Sequence, residues 1–206
     1  MKTNTLAITI LMLLLVLIYL GFLERVLERM RLTRKQALII LLAMLLGSGL
    51  PSIPLAKNLE VNLGGMLIPL FVVVYLLATA DEEAERTRTL IATLATVGAV
   101  WFADFFFTQK PDEFFLNIDP LYFPALVAAA VAYILGRSRR ASFTSAFLGI
   151  LLVDVIAWGE NLLRGLGNVT VILGGGGVFG AAVLSGAMAV LLAEAVGEIR
   201  ERLHRV

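Results

Sequence analysis

Seven apolar stretches, each about as long as a lipid bilayer is thick, occupy most of this sequence. Backbone N–H and C=O groups in hydrocarbon must be paired within the span, so such stretches predict transmembrane helices. The predicted spans are Thr5–Leu23, Gln36–Leu50, Leu63–Ala80, Thr89–Phe107, Pro120–Gly136, Ala141–Leu163 and Val171–Val196. The sequence therefore predicts an all-α membrane protein that forms a single polytopic domain over residues 1–206.

The composition supports this class and excludes several others. Hydrophobic residues make up 59% of the chain, whereas soluble domains contain about 45–50%. The net charge of +1 argues against a nucleic-acid partner. There are no cysteines, and the only histidine, His204, is close to the C-terminus. We therefore expect no disulfide and no thiol chemistry, no histidine-based metal site or triad, no cofactor, and the lipid bilayer as the main partner.

The basic residues predict how the spans are oriented. If the N-terminus is outside, only Lys2, Lys57, Lys110 and Arg164 lie in outer segments, and the other 13 of the 17 lie in cytoplasmic ones. Cytoplasmic loops of membrane proteins carry an excess of Lys and Arg. The sequence therefore predicts a cell-membrane protein with its N-terminus outside and its C-terminus in the cytoplasm. Pro51 and Pro54 predict that the second span is broken or re-entrant at its outer end, extending as far as Leu55.

Two aspartates lie within predicted spans. From the cytoplasmic ends, Asp104 would be about 24 Å deep and Asp154 about 20 Å deep, because a helix rises 1.5 Å per residue. A carboxylate that faces lipid at such depth is unfavourable. We expect these side chains to face the bundle interior, a water-filled vestibule or each other. Alternatively, each is protonated or hydrogen-bonded and only ties helices together.

An internal repeat is indicated by two similar segments. Residues 58–65 and 168–175 both fit N-x-x-V-x-L-G-G, with five of eight positions identical at an offset of 110. They predict a parallel repeat of residues 5–80 and 120–196, linked by the helix 89–107. Alternating apolar residues within both segments also predict short extended strands before the third and seventh spans, which would pair only if shielded from lipid.

Glycines after these segments suggest a ligand site. Free N–H groups at a glycine-rich helix N-terminus can bind an anion. Alternatively, the glycines only allow neighbouring helices to pack closely. The candidate residues are Asn62, Gly64, Gly65, Gly174, Gly175 and Gly176. The run Gly174–Gly177 lacks the Lys-Ser/Thr of a P-loop, so nucleotide chemistry is not expected.

Several motifs together resemble a prokaryotic family of multi-pass membrane proteins of unknown function, the domain-of-unknown-function family numbered sixteen-fourteen. The resemblance extends from about residue 36 to residue 193. It is carried by Ser52–Leu55, Val61–Gly65 with Pro69, Gly149 to Asp154, Leu173–Phe179 and Ala189–Ala193. The family usually has Gly-Ala-Asp where this chain has Leu152, Val153 and Asp154, and an aspartate where this chain has Gly180. The resemblance implies a multi-span membrane protein and supplies no activity.

Three functions fit these observations. The first is binding or transport of a small solute or ion through a site open to the non-cytoplasmic side, with Asp154 as the protonatable or cation-coupling group and Asp104 as its partner. Because seven spans are few for a transporter, a homodimer is expected. The second is a membrane scaffold or assembly factor. The third is an intramembrane aspartic peptidase with Asp104 and Asp154 as catalytic residues, although Asp154 lacks the Gly-x-Gly-Asp context of such enzymes. No motif points to another kind of enzyme.

Overall fold

Helices make up most of the chain that the computed structural model describes, namely residues 16, 18, 20–28, 30, 32–80, 83–109, 122–166 and 168–203. Residues 20–28 are helical. The following α-helices are α1 (Arg34–Ser48), α2 (Ile68–Ala78), α3 (Glu83–Gln109), α4 (Phe123–Gly136), α5 (Arg139–Leu163) and α6 (Ala181–Leu203). The prediction of a mostly helical chain is confirmed. Most of the first predicted span, the Pro120 start of the fifth, and His204 lie outside the described residues.

The chain divides into two compact units, Met1–Leu42 and Ala43–Val206. In the first unit, the turn into α1 is fixed by local polar contacts. The Thr33 N–H donates to the Gln36 Oε1 at 2.9 Å, and the Gln36 N–H donates to the Thr33 Oγ1 at 3.3 Å. This reciprocal pair is a capping box, which satisfies N–H groups that the helix itself leaves unpaired. The exposed Arg34 lies 3.3 Å from the carboxylate of Glu24.

A small three-stranded sheet belongs to the second unit. Its strands are β1 (Ile53–Ala56), β2 (Leu59–Val61) and β3 (Val171–Leu173), in the order β1-β2-β3. β1 and β2 form an antiparallel hairpin, whereas β2 and β3 are parallel, with Leu59 opposite Val171 and Val61 opposite Leu173. The predicted extended segments are therefore present, and they pair with each other.

Among the helix boundaries that differ from the predicted spans, two are explained by the local sequence. α1 ends at Ser48, and the residues up to Leu55 enter β1 instead of extending the helix. Pro51 disfavours helical backbone at the preceding residue, and Pro54 is tolerated because β1 is an edge strand. The seventh predicted span, Val171–Val196, begins as β3, and α6 starts only at Ala181.

The late start of α6 follows from the backbone of the glycine run. Gly174 and Gly177 have φ values of +68° and +56°. These are left-handed conformations that interrupt a right-handed helix and that glycine adopts at little cost. After them the chain makes one 3-10 turn, Gly177–Phe179, before the α-helix begins. A π-helical turn, Leu63–Leu67, precedes α2 in the same way.

α5 is the central helix of the second unit. It packs against α3, α4 and α6, and it also contacts β3 and α2. Small residues allow these close crossings. A Cβ added to Gly149 would lie 2.5 Å from the Thr96 side chain on α3, and one added to Gly186 would lie 2.8 Å from the Phe143 ring. The core where α4, α5 and α6 meet consists of alanines: Ala129, Ala132, Ala146 and Ala189.

The polarity of α3 is reversed relative to a helix on the surface of a soluble protein. Its buried side carries Thr89, Thr93 and Thr96, which are 0–4% exposed, whereas Leu90 and Leu94 are 55% and 69% exposed. Each threonine Oγ1 donates to the carbonyl four residues earlier at 2.7–2.8 Å, so burial leaves no hydroxyl unpaired. Surface helices of soluble proteins normally place apolar residues inside and polar ones outside. The exposed face of α3 is suited to a hydrocarbon environment.

Two helices in the described part of the chain are long and apolar enough to cross a membrane. They are Glu83–Phe105 in α3 and Arg139–Leu163, the whole of α5. Three further apolar helices are shorter: Leu63–Ala78, Phe123–Gly136 and Ala181–Gly197. Crossing by all seven spans, the orientation and the repeat stay predictions.

Candidate functional site

Glycines from three separate segments meet beside the sheet in what we call the glycine joint: Gly47, Gly64, Gly65, Gly174 and Gly177. All five are buried. A Cβ added to Gly65 would meet the Gly174 carbonyl oxygen and lie 2.7 Å from the Gly177 Cα. One added to Gly47 would lie 2.9 Å from the Gly64 nitrogen. The end of α1, the π-helical turn and the glycine run therefore approach backbone to backbone.

Two polar side chains hold the glycine joint together. The Asn62 Oδ1 accepts from the Gly65 N–H at 2.8 Å, and the backbone N–H of Asn62 donates to the Leu173 carbonyl at 3.0 Å. The Ser48 Oγ accepts from the Val178 N–H at 3.2 Å and donates within α1. Hydrogen bonds from these two side chains and their backbones thus link α1, the π-helical turn and the chain after β3.

The predicted anion site coincides with this joint, and several of its N–H groups already donate within the chain. The Gly65 N–H binds Asn62, the Gly175 N–H binds the Ile172 carbonyl at 3.0 Å, and the Gly177 N–H binds the Gly174 carbonyl at 2.8 Å. Gly175 and Gly176 are exposed, whereas Gly64, Gly65 and Gly174 are buried. This geometry fits the close-packing alternative, and the role of the glycines in ligand binding stays a prediction.

Asp154 is half-buried on the side of α5 that faces the sheet. At 100° per residue, it lies about 140° around the helix from Gly149, which contacts α3, and about 40° from Trp158. Trp158 marks the sheet side, because its indole N–H donates to the Lys57 carbonyl in the β1–β2 turn at 3.0 Å. The carboxylate therefore points toward the region where the chain is interrupted by strands.

Asp104 is exposed on α3. The helices α3 and α5 run parallel with an offset of 53 residues, since Glu85 binds Ser138 at 2.7 Å and Thr96 contacts Gly149. This register places Asp154 level with residue 101 and Asp104 about 4.5 Å further along. The two aspartates therefore lie at similar levels along the two parallel helices, and their depth in a membrane stays a prediction. Because Asp154 points away from the α3–α5 contact, the geometry gives no support to a pair of carboxylates that shares a proton, as a peptidase would need.

The carboxylate of Glu160 ties the ends of α3 and α5 together. Its Oε1 accepts from the Trp101 indole N–H at 3.3 Å, and its Oε2 lies 3.3 Å from the Arg164 guanidinium. Both partners are exposed, so the ion pair contributes little stability in water.

Two arginines near the N-terminal ends of α3 and α5 have a role that the sequence did not reveal. The Arg86 guanidinium donates to the carbonyls of Leu77 and Ala78 at 3.0 Å each, and Arg140 donates to those of Leu76 and Thr79 at 3.1 and 3.0 Å. The last carbonyls of a helix have no partner within it, and a cation there also opposes the negative end of the helix dipole. We call this arrangement the arginine cap of α2.

The family model for a protein of unknown function (DUF1614) matches residues 8–192 of the chain. The chain belongs to the DUF1614 family. The resemblance inferred from the motifs is therefore confirmed, and the match reaches further toward the N-terminus than those motifs did. No curated protein and no solved structure matches this DUF1614 chain.

The features described above lie within the matched part of this DUF1614 protein. It includes the glycine joint, the arginine cap and both aspartates. No local sequence pattern indicates the arginine cap. Arg86 and Arg140 were expected only as basic residues of cytoplasmic loops. The buried threonines of α3 could have been recognised, since their spacing of four and three residues follows one helix face.

Proposed function

We propose that this DUF1614 protein is a multi-pass membrane protein with its basic loops in the cytoplasm and its sheet end on the outer side. The reversed polarity of α3, the two helices of membrane-spanning length and the unequal distribution of basic residues support this proposal. In lipid, apolar side chains gain nothing from being buried, so small and hydroxyl-bearing residues occupy the helix contacts.

The absence of cysteines allows a direct test of this orientation. We expect Asn168→Cys to react with a membrane-impermeant maleimide on intact cells, and Arg139→Cys to react only after the cells are permeabilised. Both positions are exposed, so accessibility within the protein is matched. Equal labelling of the two variants on intact cells, or purification of the chain as a soluble monomer without detergent, would contradict the proposal.

Within this orientation, we infer that Asp154 binds a small cation or a proton from the outer side. An ionised carboxylate within a membrane helix is costly unless it is paired or hydrated, and such residues commonly mark ion pathways. The main support for the inference is the position of Asp154 on the face of α5 turned toward β3. In that region the second and seventh predicted spans are interrupted by β1 and β3. Membrane transporters place ion sites at interrupted helices, where backbone carbonyls are free to coordinate.

Asp104 has a different part in this proposal. It lies about one turn further out than Asp154 on the neighbouring helix and is exposed, so it would attract cations to the site without enclosing them. A small solute would enter by the same outer opening. Alternate exposure of such a site by two repeat halves, and pairing into a homodimer, are further parts of the transport hypothesis.

The cation site is tested by thermal unfolding of the purified chain in detergent. A ligand that binds only the folded state raises stability with the logarithm of its concentration, by about 2.7 kcal/mol at 100 times Kd. For a chain of this size that corresponds to a shift in Tm of about 5–10 °C. We expect sodium chloride, compared with choline chloride at equal ionic strength, or acidification, to raise the Tm of the parent chain.

The variants separate a specific site from a general salt effect. Asp154→Asn should lose the sodium or proton shift, Asp104→Asn should reduce it, and Glu83→Gln, at an exposed position at the other end of α3, should keep it. The proposal fails if Asp154→Asn responds to sodium and pH as the parent chain does.

A membrane scaffold is the second candidate, favoured by one observation. The polar groups described in the glycine joint bind one another, as expected for a rigid structural element. A scaffold predicts that Asp154→Asn and Asp104→Asn change stability alone and that the parent chain shows neither a sodium nor a proton shift. The same unfolding experiment therefore decides between the two functions.

A further inference from the structure

Two grooves open beside the C-terminal end of α4, and Arg137 lines both of them. The first lies between α3 and α4, where Arg88 and Arg137 flank the exposed side chains of Ile91 and Ile134. The second lies between α4 and α6, where Ile134 and Arg137 face Val196. Each groove thus joins a guanidinium group to an apolar wall.

The positive charges of Arg88 and Arg137 are not neutralised by the other described side chains that line these grooves. Among the described residues that line the two grooves, none is an aspartate or a glutamate. On α3, Glu85 is one turn away from Arg88, but its carboxylate accepts a hydrogen bond from Ser138. Ile91 is one turn from Arg88 on α3, and Ile134 is one turn from Arg137 on α4. Each isoleucine lies on the side of its arginine that faces the predicted membrane interior.

The backbone of Arg137 gives a second reason to look for a ligand. Arg137 is the C-cap of α4 with φ of +59°, and its N–H donates to the Tyr133 carbonyl at 3.1 Å. Glycine is the usual residue at this left-handed position, because a Cβ is disfavoured there. Strained positions of this kind cluster at functional sites. The left-handed backbone at Arg137 is therefore a second observation, independent of the grooves, that suggests a role for this side chain.

We propose that Arg88 and Arg137 bind the phosphate of an anionic phospholipid whose acyl chains lie in the two apolar grooves. A guanidinium binds phosphate oxygens with two parallel hydrogen bonds, and basic grooves between helices on the cytoplasmic side of a membrane bind anionic headgroups. The inference rests on the proposed membrane orientation, which places this end in the cytoplasmic leaflet.

The backbone supplies a variant that removes the guanidinium without harming the fold. Arg137→Gly relieves the left-handed strain, so the variant should fold as well as the parent chain. Arg139→Ala is the matched control. It removes one exposed positive charge two residues away from Arg137, and Arg139 is not among the residues that line either groove.

The experiment measures Tm in detergent with added phosphatidylglycerol, phosphatidylcholine or inorganic phosphate at equal concentration. We expect phosphatidylglycerol to raise the Tm of the parent chain and of Arg139→Ala by at least about 3 °C more than phosphatidylcholine does. Arg137→Gly should lose this difference.

Four outcomes would overturn the proposal. The first is an equal shift with both lipids, the second is an undiminished phosphatidylglycerol shift in Arg137→Gly, and the third is an equal loss in Arg137→Gly and Arg139→Ala. A shift of the same size with inorganic phosphate alone would also overturn it, since no acyl chain would then be needed. Asp154→Asn should keep the lipid response, so failure of the cation site and failure of the lipid site are distinguishable.

Discussion

Replacing Gly65 by alanine is expected to destabilise the native fold of the chain in detergent severely. The added Cβ would overlap the Gly174 carbonyl oxygen and lie 2.7 Å from the Gly177 Cα. Both atoms belong to the backbone, so neither can rotate away as a side chain would. Overpacking of a well-packed core costs about 1–3 kcal/mol, and separating these segments would also break the hydrogen bond from the Gly65 N–H to Asn62. We expect a total loss of about 3 kcal/mol or more, measured as a large fall in Tm or as a loss of the monodisperse peak in size-exclusion chromatography.

Gly98 provides the control for that substitution. It lies in α3, and a Cβ added there would meet nothing within 4 Å. Because glycine destabilises a helix interior by about 0.5–1 kcal/mol relative to alanine, Gly98→Ala should raise the Tm slightly. A Gly65→Ala protein that unfolds at the parent temperature would show that the glycine joint is not closely packed.

Replacing Arg140 by alanine is expected to have the second largest effect. The change removes the guanidinium donors to the Leu76 and Thr79 carbonyls at the end of α2. Hydrogen bonds to charged groups contribute about 1.5–3 kcal/mol each, so we expect a loss of about 2–4 kcal/mol of the free energy of unfolding. Thermal unfolding in detergent measures it.

Arg140→Lys and Arg139→Ala test the explanation. A lysine keeps the charge and loses the planar guanidinium, so it should restore only part of the stability. Arg139 is exposed, and Arg139→Ala should stay within about 0.5 kcal/mol of the parent chain. If Arg140→Lys matched the parent chain, charge alone would account for the arginine cap.

Hydropathy placed most boundaries of the described helices to within a few residues, because each of these helices contains a long apolar segment. The predicted start at residue 63 and the end at residue 163 agree with the structure. Hydropathy placed the start of the last helix wrongly at Val171, because the residues of β3 are as apolar as those of α6. The alternation of apolar residues and the glycine run were the signals that a strand and a turn come first.

The contacts that depend on distant residues could not be predicted from the sequence. Arg86 and Arg140 are separated by 54 residues, and nothing in their local sequence identifies the end of α2 as their common partner. The orientation of Asp154 likewise depends on which side of α5 faces the sheet. The hydrogen bond from Trp158 to the Lys57 carbonyl, 101 residues away in the sequence, identifies that side. The level of a residue along its helix follows from counting residues. The direction of its side chain depends on which neighbours the helix packs against.

The parallel pairing of β2 with β3 has a consequence for biosynthesis. β2 is made early, yet its partner strand begins only at Val171, after α2 to α5 have emerged from the ribosome. Until then, one edge of β2 has unpaired amide groups, which hydrocarbon does not tolerate. In the membrane arrangement proposed above, the hairpin must therefore stay in water or against other protein until β3 is made, and β3 then completes the sheet.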